Sequence, residues 1–122
     1  MARILIIDDD PYIRKMYTRR LSRYGYELFF EENGAKGVHA AIDLQPELII
    51  MDLYMPVKNG FQAIEELREL GYQGIIMACS ASVNEVDSGK SLKSGADIFI
   101  PKPITRAFEA SIANLLTKKN IP

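Results

Sequence analysis

The chain has 122 residues and a formal net charge of -1 at pH 7, with 48% hydrophobic and 25% charged residues. This length and composition are typical of one globular domain, which we expect to span residues 1–122. The near-zero net charge gives no basic field that would suggest nucleic-acid binding, and no apolar run approaches the roughly 18 residues of a membrane-spanning helix. Cys79 is the only cysteine, so an internal disulfide is excluded. We therefore expect a soluble, cytoplasmic protein that binds neither membrane nor nucleic acid directly.

Hydrophobic periodicity predicts five strands that alternate with five helices. In chain order, the predicted strands are Arg3–Ile7, Tyr26–Phe30, Glu47–Met51, Gly74–Ala78 and Ala96–Ile100. The helices are predicted to follow Asp10, Asn33, Gly60, Ser82 and Thr105. Asp is a favoured helix cap and proline is favoured at the first helical position, so the pair Asp10-Pro11 is a strong helix start.

The fourth predicted helix has the weakest pattern of the five. Between Val83 and Ser94, its only large apolar residues are Val83, Val86 and Leu92. It also contains Gly89, and an interior glycine costs a helix about 1 kcal/mol relative to alanine. We therefore expect this helix to have little intrinsic stability.

The alternation predicts an α/β fold of the (βα)5 type, in which a doubly wound, five-stranded parallel sheet carries helices on both faces. The third strand is central to it, because the run Leu48–Met51 lies between Pro46 and Pro56 and is apolar throughout. Such a run is typical of a strand buried on both faces. Asp52 follows directly, so we expect its carboxylate at the carboxyl edge of the sheet, where ligands bind in open α/β folds.

Polar residues follow four of the predicted strands: Asp8 and Asp9, then Asp52, Ser80 and Lys102. These strand ends share one edge, so we expect the side chains to converge. Two carboxylates about 4 Å apart repel by about 4 kcal/mol at an effective dielectric near 20. Mg²⁺ would remove this repulsion, and it suits a site of carboxylates, water and phosphate oxygens. An amine and a hydroxyl are the groups that would stabilise a phosphoryl group transferred to Asp52.

These motifs resemble those of response regulator receiver domains, the phospho-acceptor modules of two-component signalling, and among them the chemotaxis regulators. The resemblance extends from Arg3 to about Leu116. It rests on Ile-Ile-Asp8-Asp9-Asp10-Pro, Asp52-x-x-Met55-Pro56-x-x-x-Gly60, Cys79-Ser80-Ala81 and Lys102-Pro103. It implies a flavodoxin-like receiver fold with strand order 2-1-3-4-5.

The resemblance also implies a role for each matching residue. Asp52 would be the phospho-acceptor, in a Mg²⁺ site completed by Asp8, Asp9 and the backbone carbonyl of Tyr54. The phosphoryl oxygens would be bound by Ser80 and Lys102, and the Lys102-Pro103 bond would be the family's usual cis peptide.

The resemblance also implies regulatory roles for four residues. Ser80 and Phe99 would form a switch in which Phe99 rotates inward when Ser80 moves to the phosphoryl group; plain core packing of Phe99 is the alternative. Tyr54 and Ser82, two residues after Asp52 and Ser80, would tune the lifetime of the phosphoryl group.

The implied function is signalling, without an enzymatic activity on other molecules. The domain would catalyse only its own phosphorylation and dephosphorylation. The donor would be the phosphohistidine of a sensor histidine kinase or a histidine phosphotransfer protein. The surface of the fourth helix, fifth strand and fifth helix would signal to an unknown effector. A stand-alone regulator and a receiver from a larger protein both remain open.

Two other classes of protein also place chemistry at this edge of an α/β sheet. A phosphatase of the haloacid dehalogenase type needs a second acid two residues after its nucleophile, where this chain has Tyr54. A flavodoxin-like electron carrier needs a loop rich in Ser, Thr and Gly after its first strand. The acids Asp8–Asp10 occupy that loop and would repel a phosphate, so both classes are disfavoured.

Overall fold

The structure, a computed structural model, describes residues 2–81, 85–102 and 107–118. Within these ranges five strands alternate with five helices, as the sequence predicts. The strands are β1 (Arg3–Ile7), β2 (Glu27–Glu31), β3 (Leu48–Asp52), β4 (Ile75–Ser80) and β5 (Ile98–Pro101). The helices are α1 (Pro11–Leu21), α2 (Gly34–Leu44), α3 (Gly60–Glu69), α4 (Glu85–Ser94) and α5 (Phe108–Lys118). The predictions for Ser82, Pro103 and Thr105 lie outside the described residues.

All strand pairs are parallel, and the sheet has the order β2-β1-β3-β4-β5. This confirms the predicted doubly wound, flavodoxin-like fold. The register aligns the strand ends, since Ile7 pairs with Met51 and Asp52 pairs with Cys79. Asp8 and Ser80 therefore flank Asp52 on the two neighbouring strands.

Alternating side chains of the sheet build two separate cores. Leu5 and Ile7 face the core that α2 and α3 cover, whereas Ile4 and Ile6 face the core that α1 and α5 cover. All five residues of β3 are buried, as predicted for a strand covered on both faces. Each fully buried Leu or Ile contributes about 1.5–3 kcal/mol to folding, so the strands that position the site are the most firmly held part of the sheet.

Three helices begin at side-chain caps. Asp10 caps α1 by accepting a hydrogen bond from the Tyr12 N–H at 2.9 Å, as predicted. Asn33 caps α2, and Asn59 caps α3 in a reciprocal pair with Gln62. The longest helices in the described ranges have 11 residues, and none is long and apolar enough to cross a membrane.

The predicted start of the fifth strand is wrong by two residues. Asp97 precedes β5 because its carboxylate accepts hydrogen bonds from the Ile76 N–H, at 2.9 Å, and from Arg68, at 3.0 Å. At the other end β5 includes Pro101, which pairs with Ser80. Proline is tolerated there because β5 is an edge strand, where a missing N–H leaves no ladder partner unsatisfied.

The apolar residues of α4 do not mark its buried face. Val86 is 74% exposed and Leu92 is 45% exposed, whereas Asp87 and Ser91 are buried. The buried face of this helix is therefore polar, and through Asp87 it contacts the loop that follows Asp52.

Candidate functional site

The three acids predicted to form the site meet at the carboxyl edge of the sheet. Asp8 and Asp52 are buried at the ends of β1 and β3, and Asp9 is exposed beside them. One carboxylate oxygen from each of the three lies within 4.8 Å of the others. This convergence follows from the register, which brings the residues after Ile7 beside Asp52. The donor set consists of hard oxygen ligands, so it fits a divalent cation such as Mg²⁺.

Lys102 joins the two buried acids. Its Nζ lies 2.8 Å from Asp8 Oδ2 and 3.3 Å from Asp52 Oδ1. Its backbone N–H donates to the carbonyl oxygen of Ser80 at 2.8 Å, which fixes the end of β5 against β4. The ammonium is therefore held between two carboxylates by both its side chain and its main chain.

The negative charge of Asp52 is only partly balanced by the groups around it. Burial raises the pKa of Asp52 to about 6, the charge of Asp8 adds to the shift, and Lys102 offsets only part of it. Burial acts against the charged form of Lys102 too, but its hydrogen bond to Asp8 and the charge of Asp52 raise the pKa of Lys102 overall. The two pKa shifts have different causes: burial dominates at Asp52, whereas at Lys102 the two neighbouring carboxylates outweigh burial. A further cation bound here would favour the ionised form of Asp52.

The three consecutive acids have different surroundings. Asp8 accepts from Lys102 through Oδ2 and from the Asp10 N–H through Oδ1, at 2.9 Å. Asp10 points to the start of α1 as its cap, which leaves Asp9 exposed towards the solvent side of the site. Asp8 and Asp9 therefore lie at the site with Asp52, whereas Asp10 does not.

Gly60 explains the spacing of the motif that starts at Asp52. A β-carbon on Gly60 would lie 2.3 Å from the Asp52 carbonyl oxygen and 2.7 Å from the Leu53 Cα. The Gly60 N–H donates to the Leu53 carbonyl oxygen at 2.8 Å. Any other residue would push the start of α3 away from the end of β3, so this glycine holds the loop of residues 53–59 close beneath the site.

The same loop contains a strained residue. Val57 has a φ of 72°, a conformation that β-branched residues rarely adopt, and its side chain is 82% exposed. The Lys58 N–H donates to the Pro56 carbonyl oxygen at 2.9 Å, so Val57 is the central residue of a three-residue turn. The valine side chain thus contributes strain without compensating burial.

We expect Val57→Gly to raise the free energy of unfolding by about 1 kcal/mol, because the strain relieved, about 1–3 kcal/mol, exceeds the added entropy of the unfolded chain. Urea denaturation measures this. Val86→Gly is the matched control, an exposed valine in helical backbone, and it should lower stability. A loss of stability in Val57→Gly would contradict the strain argument.

Comparison with known proteins identifies the family. The family described as response regulator receiver domain matches residues 4–114. The chain belongs to the response regulator receiver domain family. This confirms the resemblance drawn from the motifs, and receiver domains are signalling domains of two-component systems.

Individual relatives agree with this assignment. The receiver domain is 32% identical over 117 residues to the chemotaxis protein CheY of Thermotoga maritima, covering 95% of this chain and 98% of that protein. It is 36% identical over 102 residues to CheY of Bacillus subtilis, covering 83% of this chain and 85% of that protein. A probable transcriptional regulatory protein of Picosynechococcus is 35% identical over 111 residues, or 85% of this chain, but the receiver spans only 44% of its length.

Solved structures share the fold. A two-component response regulator from Clostridium difficile has a TM-score of 0.93 at 19% identity, covering 98% of this chain and 99% of the other. The chemotaxis protein CheY4 of Vibrio cholerae has a TM-score of 0.88 at 24% identity, covering 95% and 99%. At these identities the likeness concerns the fold alone.

The two residues predicted to form the switch lie on the neighbouring strands β4 and β5. Ser80 is buried at the end of β4. Phe99 is half-buried in β5 and packs against the core beneath α2 and α3. That packing agrees with the alternative in which Phe99 is simply a core residue, and the inward rotation of its ring remains a prediction. Tyr54 is exposed on the loop after β3, and its backbone carbonyl remains a predicted metal ligand.

Two residues that contact the site were not singled out from the sequence. The Tyr17 hydroxyl donates to Cys79 Sγ at 3.8 Å in the core directly below the site. Burial raises the pKa of the Cys79 thiol to about 12, so the thiol stays protonated and unreactive. On the outer side, Asp87 of α4 binds the Tyr54 hydroxyl. Neither contact has a local sequence signal, because each joins residues on different elements.

Proposed function

We propose that this receiver domain accepts a phosphoryl group on Asp52 from the phosphohistidine of a sensor histidine kinase or a histidine phosphotransfer protein. The observation that carries the proposal is the placement of Lys102, whose ammonium lies 2.8 Å from Asp8 and 3.3 Å from Asp52. An acceptor carboxylate with a fixed cation beside it is what phosphoryl transfer requires, because charge spreads over the phosphoryl oxygens in the transition state. We place the reaction in the cytoplasm, since the lone buried Cys79 suits a reducing compartment.

In the proposed step, an Asp52 carboxylate oxygen attacks phosphorus and forms the new P–O bond. The P–N bond to the donor imidazole breaks, and the imidazole keeps the bonding electron pair and takes up a proton. Lys102 exchanges its contact with Asp52 for a phosphoryl oxygen, while Ser80 donates its hydroxyl hydrogen to another. In dephosphorylation, a water oxygen attacks phosphorus, the P–O bond to Asp52 breaks, and the aspartate leaves as a free carboxylate while inorganic phosphate is released. The domain catalyses only these changes to itself.

We propose Mg²⁺ as the cation of this site. Asp8, Asp9, Asp52 and the Tyr54 carbonyl would hold it, and when bound it would neutralise the charge of the carboxylates and of the incoming phosphoryl oxygens. Three converging carboxylates and a raised pKa at Asp52 support this assignment.

The test is intact-mass measurement after incubation with a small phosphodonor. With Mg²⁺ the protein should gain the mass of one phosphoryl group, and with a chelator it should gain little. Asp52→Asn keeps the shape of the acceptor but lacks the nucleophilic oxygen pair, so it should gain none. Equal gain in wild type and Asp52→Asn would show that another residue is the acceptor.

We propose that the signal leaves through the surface of α4, β5 and α5. The support is the low intrinsic stability of α4, whose interior holds Gly89 and Ser88 and whose apolar residues Val86 and Leu92 face solvent. Switching elements are drawn from the least stable parts of a fold.

Hydrogen exchange checks the stability of α4. We expect backbone amides of residues 85–94 to exchange at least about tenfold faster than those of residues 11–21 in α1, because a glycine and several serines each weaken the helix. The helix α2 controls for the effect of glycine alone, because it also contains an interior glycine, Gly37. Equal protection of α4 and α1 would contradict the proposal.

A further inference from the structure

We propose that Asp87 is a positioning residue for the reaction at Asp52, because its carboxylate holds the Tyr54 side chain beside the phosphoryl site and thereby prolongs the life of the phosphoryl group. The inference rests on the proposed function above. It adds a residue on α4, outside the acceptor motif, to the control of dephosphorylation.

The contact that carries the inference is one short hydrogen bond. Tyr54 Oη donates to Asp87 Oδ1 at 2.6 Å, across 33 residues of sequence. An O–H···O⁻ bond of this length belongs to the strong, charge-assisted class. It joins the loop after β3, which follows the acceptor, to the first turn of α4.

The burial of the two partners is unequal. Asp87 is only 5% exposed, whereas Tyr54 is 57% exposed. A buried carboxylate is costly unless it is hydrogen-bonded, and Val86, an apolar residue of the same helix, is 74% exposed instead of taking the inward position. A helix built only for packing would bury the valine. The inward acid is explained by the group that it binds.

The tyrosine ring is held on a second side. It packs edge-on against Phe61 of α3, with ring centroids 5.9 Å apart and an angle of 81°. Lys90 Nζ lies 4.4 Å from the centroid of the Phe61 ring. Asp87 and Lys90 are three residues apart in α4 and so lie on one face of the helix. That face contacts both aromatic residues, Tyr54 at its hydroxyl through Asp87 and Phe61 at its ring through Lys90.

The function of this arrangement follows from the position of Tyr54, two residues after Asp52. An exposed side chain with no fixed partner changes rotamer within picoseconds to nanoseconds, and a ring that moves away admits water. Hydrolysis needs a water oxygen in line with the P–O bond that breaks. A ring tethered by Asp87 restricts the approach of that water, whereas a free ring does not.

The experiment measures phosphoryl loss in a double-mutant cycle. Wild type, Tyr54→Phe, Asp87→Ala and the double variant are phosphorylated with a small phosphodonor and Mg²⁺, the donor is removed, and intact mass is followed with time. We expect each single variant to lose the phosphoryl group about three- to tenfold faster, the effect of losing one hydrogen bond of ordinary net strength. The double variant should be no faster than the faster single variant, because both changes remove the same bond.

A conservative variant separates positioning from structure. Asp87→Asn keeps an acceptor oxygen at the same place, so its rate should stay within about twofold of wild type. If Asp87→Ala does not fold, Asp87→Ser replaces it in the cycle, since the serine side chain is too short to reach Tyr54 as the aspartate does.

The outcomes are distinct. An unchanged rate in Asp87→Ala would overturn the inference, and so would a double variant whose acceleration is the product of the two single effects, since that pattern means that α4 has merely loosened. Absence of any phosphoryl gain in wild type would instead overturn the proposed function at Asp52.

Discussion

Replacing Lys102 with alanine is expected to slow phosphoryl uptake by Asp52 about a hundredfold or more, the typical cost of removing one fixed donor from a site of developing charge. Lys102 is the nearest cation to Asp52 in the part of the chain that the structure describes, at 3.3 Å. It is held there before reaction by its backbone bond to Ser80. When charge develops on the phosphoryl oxygens, the ammonium then has to move only from Asp52 Oδ1 to an adjacent phosphoryl oxygen.

The same variant should also be less stable in the absence of divalent cations. Removing Lys102 leaves Asp8 and Asp52 buried side by side, and breaking a buried ion pair costs about 3–5 kcal/mol. Lys102 lowers the pKa of Asp52, which is about 6 in its presence, so removing the lysine raises that pKa further and lets the carboxyl take up a proton. We therefore expect the smaller loss of about 2 kcal/mol. Added Mg²⁺ should recover part of it by binding the folded state alone.

Lys36→Ala is the control for this experiment, because Lys36 of α2 forms an exposed ion pair with Glu32, which precedes that helix. It should change neither stability nor uptake measurably. Uptake by Lys102→Ala at the wild-type rate, with stability lowered, would mean that the lysine only balances charge in the resting fold.

The convergence of Asp8, Asp9 and Asp52 was predictable because its signals are local. The sequence alone places Asp8 and Asp52 at one edge, since each ends an apolar run and parallel strands end on the same side. The confirmed strand order then makes them neighbours. Distances, and the sharing of Lys102 between two acids, could not be predicted, because they depend on the register and on side-chain geometry.

The contacts of α4 were missed for a physical reason. Periodicity assigns the inward face of a helix by its apolar residues, and in α4 those residues are exposed while Asp87 is buried. A buried acid is stabilised by a partner, here Tyr54, that lies 33 residues away. No pattern within the helix contains that information. Val57 was missed likewise, because its strain comes from the turn imposed between Pro56 and Lys58.

Arg68 is the most extensively bonded residue that the sequence did not reveal, and its contacts lie at the amino edge of the sheet, opposite the acids. Its guanidinium donates to the carbonyl oxygens of Gly95, Tyr72 and Gly74, at 2.9, 2.8 and 2.9 Å, and to the carboxylate of Asp97 at 3.0 Å. These groups precede β4 and β5 and belong to two connections, the one between α3 and β4 and the one between α4 and β5. One side chain on α3 therefore ties together the amino ends of two strands.

We expect Arg68→Ala to lower the free energy of unfolding by about 3 kcal/mol, since hydrogen bonds to a charged group contribute about 1.5–3 kcal/mol each but water can reach part of this cluster. The melting temperature should fall by about 10 °C for a domain of this size. Arg68→Lys should recover only part of the loss, because an ammonium cannot reproduce the planar set of donors.

Arg19→Ala, which removes an exposed arginine of α1, is the control and should leave stability unchanged. Phosphoryl uptake by Arg68→Ala, measured well below its melting temperature, should equal that of wild type, because Arg68 contacts the amino edge of the sheet and Asp52 lies at the carboxyl edge. Slower uptake at that temperature would mean that the two edges are coupled through β4, the strand that begins beside Arg68 and ends at Ser80.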